Sequence, residues 1–356
     1  MLKNHGNDVR VVSTGEAAEG KYLVQPWRIP IVESIIKKQG MSFAKPDRLA
    51  KTTLEEAIRD SDVVHFLMPF ALSIEGMKIA ERLGVPRTAA FHVQPENITY
   101  TIGMGRWSGV NDAIYKGFKA IFYDHFTHIH CPSNFIASEL RRHGYAAKLH
   151  VISNGVDGEF VYRKQPKTAE LQDKFVILMV GRLSNEKRQD VLVEAVTRSR
   201  HAERIQLVLA GQGPTQRKIE QMGESLPHPP IIHFYSKPDL LDLLAMCDLY
   251  VHAADAEIEA ISCMEAFASG LVPIIANSPK SATPQFALDE RSLFEAGNCE
   301  DLARKIDYWI ENEEERRRME IAYSEYGKQF NIDHCVSQIE DMFQEEIEEC
   351  LSEVQV

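Results

Sequence analysis

The sequence predicts two α/β domains in series, each a parallel sheet with helices on both faces. Three observations predict this. The 356 residues suit about two domains, at roughly 100–200 residues each. Short apolar runs alternate with amphipathic stretches along the whole chain. The segment from Gly158 to Asp173 is polar and lacks a clean period, and a fresh apolar run opens at Phe175.

In chain order the apolar runs read as strands at Val9–Ser13, Val63–Leu67, Arg87–His92, His128–Cys131, Leu149–Ile152, Phe175–Val180, Gln206–Ala210, Ile231–Phe234, Leu249–His252, Val272–Ala276 and Ser292–Phe294. Helical patterns lie between them at Leu54–Arg59, Ile74–Leu83, Asn134–His143, Gln189–Ser199, Thr215–Glu224, Pro238–Met246 and Cys299–Asn312. Residues 1–157 form the first domain, 158–173 a linker and 174–330 the second domain, followed by a terminal helical segment, 331–356. Within that segment, Val336, Ile339, Met342, Phe343 and Ile347 recur at helical spacing and require a packing surface, expected on the first domain.

Composition narrows the function. A net charge of −12 disfavours nucleic acid as a partner. The charge is uneven: residues 1–156 carry +4 and the remainder −16, so the first half suits an anionic acceptor or peripheral contact with a membrane surface. No apolar run approaches the roughly 20 residues of a membrane span. The start, Met1 to Gly6, has no apolar signal region. The six cysteines are scattered, as reduced thiols would be. The expected location is cytoplasmic, at the inner face of a membrane.

The most informative stretch runs from Asp255 to Gly270. Glu257 and Glu265 stand eight positions apart, before the apolar run Leu271–Ala276. The pattern predicts strand end, loop, helix and a glycine stop at Gly270. Glu257 is expected in the loop and Glu265 about two turns inside the helix. In an open α/β sheet, loops at the carboxyl ends of strands bind ligands, and helix N-termini favour anions. Carboxylates for hydroxyls beside amides for phosphates would suit a nucleotide sugar.

Four motifs then resemble those of the GT-B fold, family 4 (group 1) retaining glycosyltransferases. Val180-Gly181-Arg182-Leu183-Ser184-Asn185-Glu186-Lys187 resembles a G-R-x-x-x-x-K element, and Leu209-Ala210-Gly211-Gln212-Gly213-Pro214 a G-x-G loop. Glu257 through Glu265 matches an E-x7-E signature continued to Pro273, and Val151 to Asp157 matches a domain-junction motif. The resemblance implies two Rossmann-like domains facing a cleft. It implies that Arg182 and Lys187 grip the donor diphosphate and stabilise the leaving group. It assigns Glu265 to the ribose hydroxyls and Glu257 to the donor sugar, and places Gly211, Gly213 and the helix start at Ala260 and Ile261 against the donor. His92 would reach the sugar from the first domain. Glu259 departs from the family, which often has an aromatic there, and competes with Glu257 for its role.

The implied reaction moves a sugar from a nucleotide-diphosphate donor to a glycan, lipid or small-molecule hydroxyl, with retention and without a metal or other cofactor. The alternatives are a catalytically weakened binding scaffold and a sugar-phosphate synthase or phosphorylase. Asp60-Ser61-Asp62 has the look of a metal motif but reads better as a turn, and His125, His128 and His130 lack regular ligand spacing. The family usually opens with a strand and Gly-rich loop before a segment like Gly6–Ser13. The resemblance therefore predicts a truncated start and a gap in the first sheet.

Overall fold

A computed structural model describes residues 1–27, 42–101 and 108–354. The chain divides into two compact units, Met1–Ser153 with Asp333–Val356, and Asn154–Ile332.

In the first unit, β1 (Val11–Ser13) and β2 (Lys21–Leu23) form a parallel pair. Helix α1 (Arg48–Ile58) starts at Asp47, whose carboxylate accepts the Ala50 N–H at 3.0 Å and satisfies one of the helix's open donors. After β3 (Val64–Phe66), helix α2 (Ala71–Leu83) stops at Gly84 in the left-handed region. Then come β4 (Arg87–Ala90), α3 (Pro95–Thr101), α4 (Ser108–Ile121), β5 (His128–Cys131), α5 (Asn134–Arg142) and β6 (Lys148–Val151). Strands β3-β4-β5-β6 make one parallel sheet in that order, and among the described residues no ladder joins it to β1-β2. Both pieces still serve one core, since Val12 and Val64 pack on Leu54, Ile58, Ile79, Ala80 and Val85. Asp60-Ser61-Asp62 lies in the turn between α1 and β3, where the Ser61 N–H bonds the Ile58 carbonyl at 3.0 Å.

The C-terminal helix, Ile332–Val354, is longer than its apolar stripe suggested. Its Cys335 and Met342 pack with Ile152, and Phe343 lies 5.2 Å from the His65 ring. Among the described residues, no helix is long and apolar enough to cross a membrane.

The second unit is built on β7 (Phe175–Val180), β8 (Ile205–Ala210), β9 (Ile231–His233), β10 (Leu249–His252), the two-residue β11 (Ala256–Glu257), β12 (Pro273–Asn277), the two-residue β13 (Lys280–Ser281) and β14 (Leu293–Glu295). The main sheet has the order β14-β12-β10-β7-β8-β9, all parallel, while β11 and β13 pair separately. The chain winds from β7 outward through β8 to β9, then returns to β10 and winds the other way. The reversal falls between β7 and β10. Helices α6 (Gln189–Arg198), α7 (Gln216–Gly223), α8 (Lys237–Met246), α9 (Ile261–Ala268), α10 (Cys299–Glu311) and α11 (Glu313–Gly327) complete it. Strand β7 is almost wholly buried, as its continuous Phe-Val-Ile-Leu-Met-Val run requires for a sheet covered on both faces. Trp309, Phe267 and Tyr323 are among the largest side chains in this core.

Several expectations shift. The strand expected to reach His92 ends at Ala90, and the stretch after it carries helix α3, which was not anticipated. Strands β2, β11 and β13 were not anticipated, because two or three residues carry no alternation to read. Gly270 sits at the predicted stop with φ 88°: its N–H bonds the Phe267 carbonyl at 2.9 Å and the Leu271 N–H bonds Ala266 at 3.0 Å.

Candidate functional site

Strands β10, β7 and β8 are neighbours and parallel, so the loops at their carboxyl ends leave the same edge of the sheet. This edge, at the reversal of strand order, is where an open α/β sheet leaves a crevice. Three loops meet there: Gly181 to Arg188, Gly211 to Gly213, and Ala253 to Ala260.

Backbone contacts lock the loops together. The Gly181 N–H bonds the Ala210 carbonyl at 3.0 Å and the Leu183 N–H bonds Gln212 at 3.1 Å. A Cβ on Gly211 would stand 2.0 Å from the Gly181 oxygen, and one on Gly213 would stand 2.2 Å from the Leu183 oxygen. The glycines were expected to admit a nucleotide. The structure puts the neighbouring loop's backbone on the side that a Cβ would occupy. Across the reversal, the Asp255 N–H bonds the Glu186 carbonyl at 2.8 Å, and Arg188 Nη1 reaches Asp255 Oδ2 at 3.1 Å.

Lys187 and Glu257 meet at this junction. Lys187 Nζ ion-pairs with Glu257 Oε1, and Nε2 of the fully buried His252 lies 3.3 Å from the same oxygen. Glu257 is on β11 and not in a free loop; its backbone carbonyl accepts the Ala282 N–H at 2.9 Å. Burial pushes the Glu257 carboxyl up, but the Lys187 ammonium and His252 oppose it and hold it at about 2. Burial holds His252 below the usual imidazole range, against the pull of Glu257. The result is an ionised buried carboxylate with one cation on it.

Arg182 is half-buried on the same loop, one residue after Gly181, and its carbonyl accepts Gln189 Nε2 at 3.0 Å. Among the described residues, the two non-glycine positions with positive φ are Arg188 and Ala260. They flank the Lys187–Glu257 pair, and strain of this kind gathers at functional sites. Ala260 is the buried cap of α9, and the Ile261 side chain next to it is 41% exposed. Ser262 Oγ donates to the Val180 carbonyl and receives the Tyr250 hydroxyl, both at 3.2 Å, which fixes the start of α9 against β7 and β10. The first-turn amides of such a helix face outward from its start.

Glu265 is the fifth residue of α9, a little over one turn inside and not two. Burial raises its carboxyl to about 7, with Lys237 opposing and Asp157 adding to the rise. Lys237 itself pairs with Asp157 at 2.8 Å. Among the described residues, no hydrogen bond or ion pair joins Glu265 to Lys187 or Glu257. Glu259 does not compete with Glu257: buried to 1% exposure, it accepts the Asn154 N–H at 3.0 Å and the Asn154 side-chain amide at 2.6 Å. Two hollows of this unit, about 380 and 480 Å³, lie elsewhere, against Phe160 and Ala268 and against Asp248 and Arg316; none of Arg182, Lys187, Glu257 and Glu265 lines either.

In the first unit, His92 is two residues beyond β4 and packs edge-on to the His130 ring at 5.2 Å. Burial, then the neighbouring His130, lowers it to about 4, so the imidazole is neutral at physiological pH. Sequence reasoning missed His252 and the Arg188–Asp255 link. His252 ends a strand that the sequence did predict, which was the available signal.

Comparison with known proteins places these loops in context. Residues 161–326 match the family model for glycosyl transferases group 1, and residues 1–160 match that for glycosyltransferase family 4. An alpha-monoglucosyldiacylglycerol synthase of Streptococcus pneumoniae is 24% identical over 78% of this chain, which spans 65% of that protein's length. The Anabaena protein HepE, crystallised with UDP and glucose, superposes with a TM-score of 0.71 at 17% identity, over 91% of this chain and 85% of its own. The catalytic domain of a cholesterol-alpha-glucosyltransferase from Helicobacter pylori shares 50% identity over 44% of this chain and 99% of its own, with a TM-score of 0.43.

Proposed function

Because this chain belongs to the group 1, family 4 glycosyltransferases of GT-B fold, we propose that it transfers a hexose from a nucleotide-diphosphate sugar to a lipid hydroxyl with retention of configuration. The observation that carries this reading is the Lys187–Glu257 pair at the reversal between β7 and β10. A donor diphosphate beside Lys187 shares its ammonium with Glu257, and Arg182 on the same loop adds a second cation. As the C1–O bond to the diphosphate breaks, negative charge builds on the leaving phosphate, and fixed cations there stabilise the transition state more than the bound donor. The new C1–O bond forms on the same face, and the acceptor proton passes to the departing phosphate oxygen. No side-chain base is then required, and the two cations take the place of a metal.

Glu257 keeps its charge to hold donor-sugar hydroxyls and to face the positive charge at C1. The amides at Ala260 and Ile261 take phosphate oxygens, Gly211 and Gly213 lie along the nucleotide, and Glu265 takes the ribose hydroxyls. The neutral imidazole of His92 is assigned to the donor sugar on resemblance to the family. A lipid acceptor rests on the excess positive charge of the first half and on the diacylglycerol-glucosylating relative. It places the protein peripherally at the cytoplasmic membrane face. Of the basic residues suited to that contact, Arg141 and Arg142 end α5, while Lys37 and Lys38 lie outside the described residues.

The test is thermal shift of the full chain against UDP-glucose and other nucleotide sugars. Transfer is then assayed to diacylglycerol, glucosylated diacylglycerol, sterol and oligosaccharide. The reading expects at least one donor to raise the melting temperature, and Lys187→Ala and Glu257→Gln each to lose transfer. Full transfer by both variants, or no shift with any nucleotide sugar, would refute it.

A further inference from the structure

The alternation in His128-Ile129-His130-Cys131 and Lys148-Leu149-His150-Val151 gathers His128, His130, Lys148 and His150 on one face of the β5–β6 pair. The register is His128 opposite Lys148 and His130 opposite His150. The C-terminal helix covers this face. Its Glu345, Glu346 and Glu349 follow the buried Met342 by three, four and seven residues, so they share the helix's inward side.

His128 Nδ1 lies 2.8 Å from His150 Nε2, and the rings stack with centroids 4.9 Å apart. His150 Nε2 is 3.9 Å from Glu345 Oε2. One ligand atom from each of His128, His150 and Glu345 falls within 4.8 Å of the others. The His128 side chain is 1% exposed, and those of His150 and Glu345 are 15% and 34% exposed, so the cluster is built into the sheet on one side and open on the other. His125, one of the histidines weighed from sequence, is not a member, and His130 points Nε2 at the Ile152 carbonyl, 2.7 Å away.

We propose that His128 Nδ1, His150 Nε2 and a Glu345 oxygen bind a borderline divalent transition-metal ion of the Zn²⁺ type, fastening the C-terminal helix to the sheet of the first unit. Two imidazoles and one carboxylate, with a fourth position left for water, are a donor set for that class and not for Mg²⁺. The carboxylate that would orient the His128 ring is already in place. His128 Nε2 lies 3.1 Å from Glu349 Oε2, so the N–H donated there leaves Nδ1 with a lone pair, the usual carboxylate–histidine–metal arrangement. Glu346, 3.8 Å from His128 Nε2, is occupied by the Arg87 N–H at 3.2 Å and by the Thr127 hydroxyl. At 2.8 Å the His150 ring donates its Nε2–H to His128 Nδ1; for both nitrogens to face the ion, that proton moves to Nδ1 of His150, so each ligand stays a neutral imidazole. Zn–N bonds of about 2.0–2.1 Å in a tetrahedron set the nitrogens roughly 3.3 Å apart, so the rings part by about half an ångström. Lys148, 55% exposed and now paired with Glu345, must swing aside. The competing account is that the imidazole pair and the Lys148–Glu345 ion pair simply hold the helix, with no ion.

Calorimetric titration of ZnCl₂ into the untagged, chelator-stripped full chain separates the two. The metal site expects one equivalent bound, a rise in melting temperature, and no response to MgCl₂. His150→Gln should abolish that equivalent, and Glu349→Gln should weaken it by about 10–100-fold. Lys148→Gln, a change at an exposed side chain that leaves folding intact, should tighten it by freeing Glu345. CoCl₂ should give the visible absorption of a four-coordinate ion, lost in His150→Gln. Absence of one-equivalent binding, its survival in His150→Gln, or an unchanged affinity in Lys148→Gln would overturn the proposal.

Discussion

Removing the Lys187 ammonium is expected to turn a stabilising pair into a buried liability. Glu257 has a side chain 10% exposed, and its carboxyl is held at about 2 against an ordinary 4.5. That depression corresponds to about 3 kcal/mol of native-state preference for the ionised form. Its sign is that of a lowered acid: the contribution is complete above about 4.5 and is lost as pH falls towards 2. In Lys187→Ala, burial, the largest influence on Glu257, is no longer countered by the ammonium. The carboxyl then moves up towards its ordinary value or past it, so the stability this group loses in acid shrinks or turns to a gain. At neutral pH the variant should lose about 3–5 kcal/mol, the cost of leaving one buried partner unpaired. Glu257→Gln in the Lys187→Ala background should recover part of this loss, because a neutral amide needs no counter-charge. The assay is a double-mutant cycle by urea unfolding of the full chain. Trp27→Phe and Trp107→Phe, introduced throughout, leave Trp309, buried in the second unit's core, as the fluorophore. A coupling energy below about 1 kcal/mol, the range of an exposed ion pair, would refute the reasoning.

Three further outcomes are expected. Glu265, raised by burial to about 7, destabilises the fold as pH rises from its unfolded value of about 4.5 through 7; Glu265→Gln should flatten that loss in pH-dependent melting curves, and nucleotide affinity measured by calorimetry should strengthen with pH only in the parent. Gly211→Ala drives a Cβ against the Gly181 oxygen and should cost about 3 kcal/mol or more, whereas Gly117→Ala, in open space on α4, should stabilise by up to about 1 kcal/mol; urea midpoints check both. Glu259→Gln should cost about 1–3 kcal/mol through the Asn154 amides, measured by the same unfolding.

The main sheet of the second unit was legible because strands such as Phe175–Val180 and Leu249–His252 are continuous apolar runs, and only burial on both faces gives that pattern. The glycine stop at Gly270 was legible for a similar reason, since a left-handed residue has few alternatives. Helix α11 was missed: its Glu-Glu-Glu-Arg-Arg-Arg start shows charge and little periodicity, and its packing becomes visible only through Met319 and Tyr323 in the core. In the site, Lys187 and Glu257 were named from motifs, but their contact depends on strand order, which no local pattern encodes. That the Gly181–Leu183 backbone packs against Gly211 and Gly213 was not legible, because a glycine reports that something comes close without saying what. Glu259 looked like a rival carboxylate until its partner, more than a hundred residues upstream, was in view.

Asn154, held by Glu259, stands where the chain enters the second unit, and Val156 bridges to Asn331 beside the point where it leaves. Entrance and exit are thus stitched into a single seam, and the thread that closes it is two residues from Glu257. The turn from Glu257 to Ala260 therefore carries, through Glu259, the clasp on the residue that opens the second unit.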